Sequence, residues 1–193
     1  DIRKAMRKCT YPEEYEAMVQ NKARALFVRN LALSLKGNTL ILFQLVEKHG
    51  KPMFEDLYTQ ANNTREVFFI YGGTDTIARE EIRKVMESRD NAIIVASYGT
   101  FSTGINIKNL HNVIFAAPSK SRIRNLQSIG RGLRTSDGKT CATLFDIVDD
   151  LRVGKHVNFL LKHYVERSKI YQDEKFPFKQ YFIDLPKPLD KTP

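Results

Sequence analysis

The chain has 193 residues, 42% hydrophobic and 27% charged, the balance of an ordinary globular protein with room for one sizeable domain. No apolar run approaches the about 20 residues needed to span a bilayer, and Asp1-Ile2-Arg3-Lys4 is not a secretory start, so membrane and secreted classes are set aside and a cytoplasmic location is expected. Thirty-one basic against 22 acidic side chains give a formal charge of +9, which favours a polyanionic partner such as nucleic acid, although a merely soluble basic surface would look the same.

Taken in order, the first predicted element is a helix from about Pro12 to Leu35. It has a proline and acids in its first turn and apolar residues at Met18, Val19, Ala25, Leu26, Val28 and Leu31. Lys36-Gly37-Asn38 stops it, and Thr39 to Phe43 is a short continuous apolar run, the mark of a strand covered on both faces. A helical stretch near Gln44 to Gln60 is interrupted by Gly50-Lys51-Pro52, and Val67 to Tyr71 reads as a second strand ending in Gly72-Gly73. Thr76 to Arg89 is an amphipathic helix with Ile77, Ile82, Val85 and Met86 on one side. Buried strands follow at Asn91 to Ala96, at Asn112 to Ala116 and, beyond a basic helix around Arg122 to Leu133, at Cys141 to Asp146. Asp150 to Tyr171 reads as a last helix. Lys175 to Phe182 is either an edge strand or a docking tail, and its aromatics Phe176, Phe178, Tyr181 and Phe182, interleaved with Lys175 and Lys179, suit packing or base stacking.

Short apolar strands alternating with helices predict an α/β fold, a mainly parallel sheet with helices on both faces. Cys9 and Cys141 lie far apart without metal-ligand spacing and read as buried thiols, and His49, His111, His156 and His163 read as surface or packing residues.

Two segments carry chemistry. Gln127-Ser128-Ile129-Gly130-Arg131-Gly132-Leu133-Arg134 sets two arginines three apart, on one face of a helix. Guanidinium groups are planar and permanently charged, suited to phosphate oxygens where negative charge accumulates. In Ser97 to Asn106, small hydroxyl residues and a glycine follow a strand, so that backbone N–H groups can approach phosphates.

These segments resemble motifs VI and V of the superfamily-2 helicases. The resemblance implies a RecA-like domain of the P-loop NTPase type. It implies that Arg134 is the arginine finger on the γ-phosphate and that Arg131 contacts the same phosphate or holds a lobe interface. Gln127, Gly104 and Asn106 would face the nucleotide. Motif V ends Gly104-Ile105-Asn106 as the family does, but Ser97 to Thr103 runs about one residue longer than usual, which leaves open which of Ser97, Thr100, Ser102 and Thr103 touches phosphate. Thr39 to Gln44 resembles motif IV, and Ile70 to Gly73 with Arg79 resembles the next element. Together they imply a DNA track through Gln44, Gly72, Ser97, Thr100 and Thr103. The run from Ala96 to Arg134, with Asp149-Asp150-Leu151 after the last strand, narrows the resemblance to phage recombination-repair helicases acting on forks, junctions and R-loops.

Nowhere does a GxxxxGK[ST] loop occur. ATP and Mg2+ are therefore expected on an upstream RecA-like lobe, with DNA, single-stranded or branched, or an RNA:DNA hybrid as the other partner. Starting at Asp1 without an initiator Met, the chain is expected to be part of a longer protein. Residues 1–36 would lead in from that lobe, 37–151 would form the RecA-like unit, and 152–193 a closing helix and tail. A stand-alone nucleic-acid-binding module, another α/β enzyme and a double-strand translocase of the remodeller type are the rival readings.

Overall fold

The computed structural model describes residues 8–102, 107, 109–117 and 142–185. Its helices and strands run α1 (Tyr11–Gln20), α2 (Lys22–Ser34), β1 (Thr39–Phe43), a π-helical turn (Val46–Gly50) leading into α3 (Lys51–Ala61), β2 (Val67–Ile70), α4 (Thr76–Ser88), β3 (Ile93–Ser97), the short α5 (Tyr98–Ser102), β4 (Asn112–Phe115), β5 (Thr143–Asp146) and α6 (Phe159–Asp173).

The five strands form one sheet in the order β2-β3-β1-β4-β5, every neighbouring pair parallel. Burial explains their composition. The inner strands β1, β3 and β4 are buried at every position, whereas the edge strands β2 and β5 are only partly covered. Alternate residues serve opposite faces. Leu40, Leu42, Ile94, Ala96, Val113 and Phe115 pack with Met86 of α4, Tyr98 of α5 and Tyr171 of α6. Ile41, Phe43, Ile93, Val95 and Ile114 pack with Val28 and Ala32 of α2 and Met53 and Leu57 of α3.

The strands predicted from sequence are all present, with ends shifted by up to two residues. The helices need four corrections. The single helix expected over Pro12 to Leu35 is two, because Asn21 leaves the helical region (φ −72°, ψ 101°) and turns its side chain to accept from the Arg24 N–H at 3.1 Å, starting α2 afresh. Gly50-Lys51-Pro52 does not break the chain's helical path. The π-helical turn passes straight into α3, with Pro52 in the first turn where its missing N–H costs nothing. Gly50 is required there, since a Cβ would sit 2.4 Å from the Phe43 ring. On α4, Ile77 is 71% exposed while Met86 is fully buried and Ile82 only packs against the core, so the apolar stripe is narrower than the pattern implied. Finally, residues 147–158 are not helical. Gly154 has a positive φ and Val153 bridges His156, so the expected helix starts only after Asn158.

Among the described residues, the tail after α6 forms no strand. Phe176 packs on the core and Phe178 lies against the Tyr171 ring at 6.2 Å, while Tyr181 and Phe182 are exposed. Among the described residues no helix is long and apolar enough to cross a membrane.

Candidate functional site at the carboxyl edge of the sheet

Because every strand runs the same way, five carboxyl ends share one edge, the place where open α/β sheets gather their ligands. Gln44 follows β1, Gly72 lies just past β2, Ser97 closes β3, Ala116 and Ala117 follow β4, and Asp146 ends β5.

Gln44 is half-buried, and its Oε1 is enclosed without a hydrogen bond in the chain. Gly72 is exposed, and a Cβ built on it would meet nothing within 4 Å, so the backbone is open to close approach. The turn beneath it is stiff. Thr74 N–H donates to the Tyr71 carbonyl at 2.9 Å, and the Tyr71 N–H donates to Thr74 Oγ1 at 3.0 Å. From the first turn of α4, Arg79 Nη2 donates to the Gly72 carbonyl at 2.9 Å, while its Nε is buried with no partner.

Ser97 and Thr100 are both buried. Their hydroxyls are 2.8 Å apart, and the Thr100 N–H donates to Ser97 Oγ at 3.4 Å. These side chains tie the turn from β3 into α5. Thr103, Gly104 and Asn106, and with them Gln127, Arg131, Arg134 and Cys141, lie outside the described residues. The connection carrying Gln127, Arg131 and Arg134 joins Ala117 at the end of β4 to Ala142 before β5.

Three buried charges around this edge are not visible in the motifs. Arg24 of α2 is 2% exposed; its Nε bonds Asp149 Oδ2 at 2.8 Å, and Nη1 donates to the Ala116 carbonyl at 2.7 Å. Arg167 of α6 bonds Asp146 through Nε and Nη2 at 2.8 and 2.9 Å. Glu14 of α1 is fully buried and accepts from the N–H groups of Phe159 and Leu160, each at 2.8 Å, thereby capping α6. A signal for the two arginines existed. Arg24 shares an i, i+4, i+8 row with Val28 and Ala32, and Arg167 lies on one face with Leu160 and Tyr171, seven residues after the first and four before the second, so both belong to core faces.

Burial sets the local protonation as well. His49, in the turn leaving β1, is held to about 4 from the usual 6.5, first by burial and then by the Arg24 charge. Burial and the Asp146 carboxylate push the Tyr171 phenol far above its usual range. Cys9 is a half-buried thiol raised by burial and by Glu14. Among the described residues no group of three or more His, Cys, Asp or Glu is placed to hold a metal ion.

Comparison with known proteins places this architecture. The family model of the helicase conserved C-terminal domain matches residues 21–136. Over 189 residues the chain is 37% identical to the ATP-dependent DNA helicase uvsW of Enterobacteria phage T4, covering 91% of this chain and 37% of that protein. The crystal structure of T4 UvsW aligns with a TM-score of 0.76 at 36% identity, covering 90% of this chain and 37% of that one. Two more distant structures share the fold. Domain 2 of the DEAD-box helicase Mss116p, bound to an RNA duplex, has a TM-score of 0.51 at 14% identity and covers 70% of this chain and 52% of its own. The C-terminal part of the Fun30 ATPase domain gives 0.52 at 15%, covering 82% and 55%. A five-stranded parallel sheet of this order, under a family model spanning most of it, leaves one assignment: the chain belongs to the helicase conserved C-terminal domain family, as the second RecA-like domain of a superfamily-2 helicase.

Proposed function

We propose that this chain is the second motor lobe of an ATP-dependent DNA helicase or translocase that works inside the cell on forks, junctions and R-loops in recombination and repair. In this reading residues 37–151 form the RecA-like unit, 1–36 lead in from an upstream lobe that holds most of ATP and Mg2+, and 152–193 close the unit. The observation that carries it is the shared edge. Gln44, Gly72 and the Ser97–Thr100 turn stand at the carboxyl ends of β1, β2 and β3, on the edge where β4 ends and the connection bearing Arg131 and Arg134 begins.

The nucleic-acid strand lies along this edge, single-stranded or branched DNA or an RNA:DNA hybrid. Gly72 offers it an unobstructed backbone, Gln44 contributes the N–H groups of its side-chain amide, and Ser97 and Thr100 contribute through the turn they fix, which Thr103 follows in the sequence. Gly104, Asn106 and Gln127 face the nucleotide across the lobe interface. Arg134, with Arg131 beside it, supplies positive charge to the γ-phosphate held by the other lobe. Backbone gripping of this kind carries little base specificity.

The test is DNA-stimulated ATPase activity of the full-length protein, wild type against Arg134→Ala, with ATP and DNA binding measured separately. The expected result is a fall of about 10³–10⁵ in turnover with both bindings retained. Turnover that survives the substitution would remove Arg134 from the phosphate and, with it, the two-lobe reading.

A further inference from the structure

Arg167 is 1% exposed, and both ends of its fork are taken by Asp146, the last residue of β5. Tyr171, one turn further along α6, donates its hydroxyl to the same carboxylate at 2.9 Å. Across the β4–β5 ladder, Asp146 stands opposite Phe115. The Phe115 ring lies 5.8 Å from that of Tyr98, the first residue of α5. Tyr98, Phe115 and Tyr171 belong to one buried cluster, and Tyr98 sits between the two hydroxyl residues that close the β3–α5 turn. A continuous packed path thus runs from the carboxyl-terminal helix, through the ends of β5 and β4, to the turn on the candidate nucleic-acid track.

Stability alone is a poor reason for such a pair. Taking a guanidinium and a carboxylate out of water is costly, and an apolar pair of similar volume is often as stable. Here the guanidinium also carries a buried Nη1 that makes no hydrogen bond in the chain, a further cost of burial. A bidentate fork does what an apolar pair cannot, because it fixes the angle between the elements it joins.

We propose that Arg167 is a positioning residue. Its fork on Asp146 sets the orientation of α5, and through α5 that of the Ser97–Thr100 turn, so that DNA binding is coupled to ATP turnover. The proposal rests on the motor-lobe reading above and assigns to α6 a part in it.

The experiment separates positioning from stability by removing both charges at once. Full-length protein carrying Asp146→Leu with Arg167→Met is compared with wild type and with Arg167→Lys. Four quantities are measured: the unfolding midpoint, turnover without DNA, the KM for ATP, and the DNA concentration giving half-maximal stimulation. In the double variant turnover without DNA and the KM for ATP stay near wild type and the unfolding midpoint falls only by the loss of the Tyr171 hydroxyl bond, while the half-maximal DNA concentration rises about tenfold. Arg167→Lys, which keeps the charge and loses the fork, recovers part of that shift. A folded double variant with wild-type half-saturation overturns the proposal. Should the double variant not fold, wild-type half-saturation in Arg167→Lys overturns it. Wild-type turnover that ignores DNA overturns the motor-lobe reading itself and takes the proposal with it.

Discussion

At the amino edge of the sheet Asn38 satisfies its whole side chain from within, donating to the carbonyls of Met86, Arg89 and Asn109 and accepting from the Ala92 N–H. Arg65, also buried, donates to the carbonyls of Ala32, Leu35 and Gly37. At the carboxyl edge, by contrast, Gln44 Oε1, Arg79 Nε and Arg167 Nη1 are buried with no bond in the chain. Buried polar groups are normally paired, and an exception needs a reason. The amino edge pairs its buried polar groups within the chain, whereas the carboxyl edge leaves three of them without a bond in the chain.

That contrast can be broken at its strong end first. Asn38→Ala removes two N–H donors, shared among three carbonyls, and one acceptor, each bond worth about 1 kcal/mol, and should lower the unfolding free energy by about 3 kcal/mol. Urea denaturation would show the midpoint falling with an unchanged slope, and a loss below about 1 kcal/mol would mean the amino edge is not the fastening it resembles.

Acid should act at the other edge. His49 is held at about 4 when folded against 6.5 in the free chain, so below pH 6.5 the unfolded state takes up the proton more readily. The stability this neutral histidine contributes is present in full above pH 6.5. It is lost as pH falls toward 4, a change of about 3 kcal/mol. Unfolding titrations between those pH values should flatten in His49→Gln, and an equal slope in both proteins would place the acid response elsewhere.

The smallest effect sharpens the comparison most. Gly72→Ala adds a methyl that meets nothing within 4 Å, so stability should shift by no more than about 0.5 kcal/mol. Affinity for labelled DNA, followed by anisotropy, should nevertheless fall by a factor of about three as the close backbone approach is lost. Native affinity would take Gly72 off the track.

Much of this was legible beforehand. The strands appear in the sequence because inner parallel strands are apolar at every position, and the placement of Gln44, Gly72 and Ser97 at one edge appears because they follow or close those strands. What escaped notice depends on partners remote in sequence. Helical spacing places Arg24 and Arg167 on core faces but does not name their partners, Asp149, 125 residues from Arg24, and Asp146, 21 residues from Arg167. The break at Asn21 and the late start of α6 are decided by local capping, which periodicity does not register.

Glu14 has a consequence for how the chain is made. Its carboxylate closes the start of α6, 145 residues downstream of it at Phe159, so α1 emerges from the ribosome long before the amides it caps. A contact this distant in sequence forms late, after the loop between its ends has been closed. Until then the nascent chain carries α1 without the amides it caps, and removing either α1 or α6 forfeits the seal at the other.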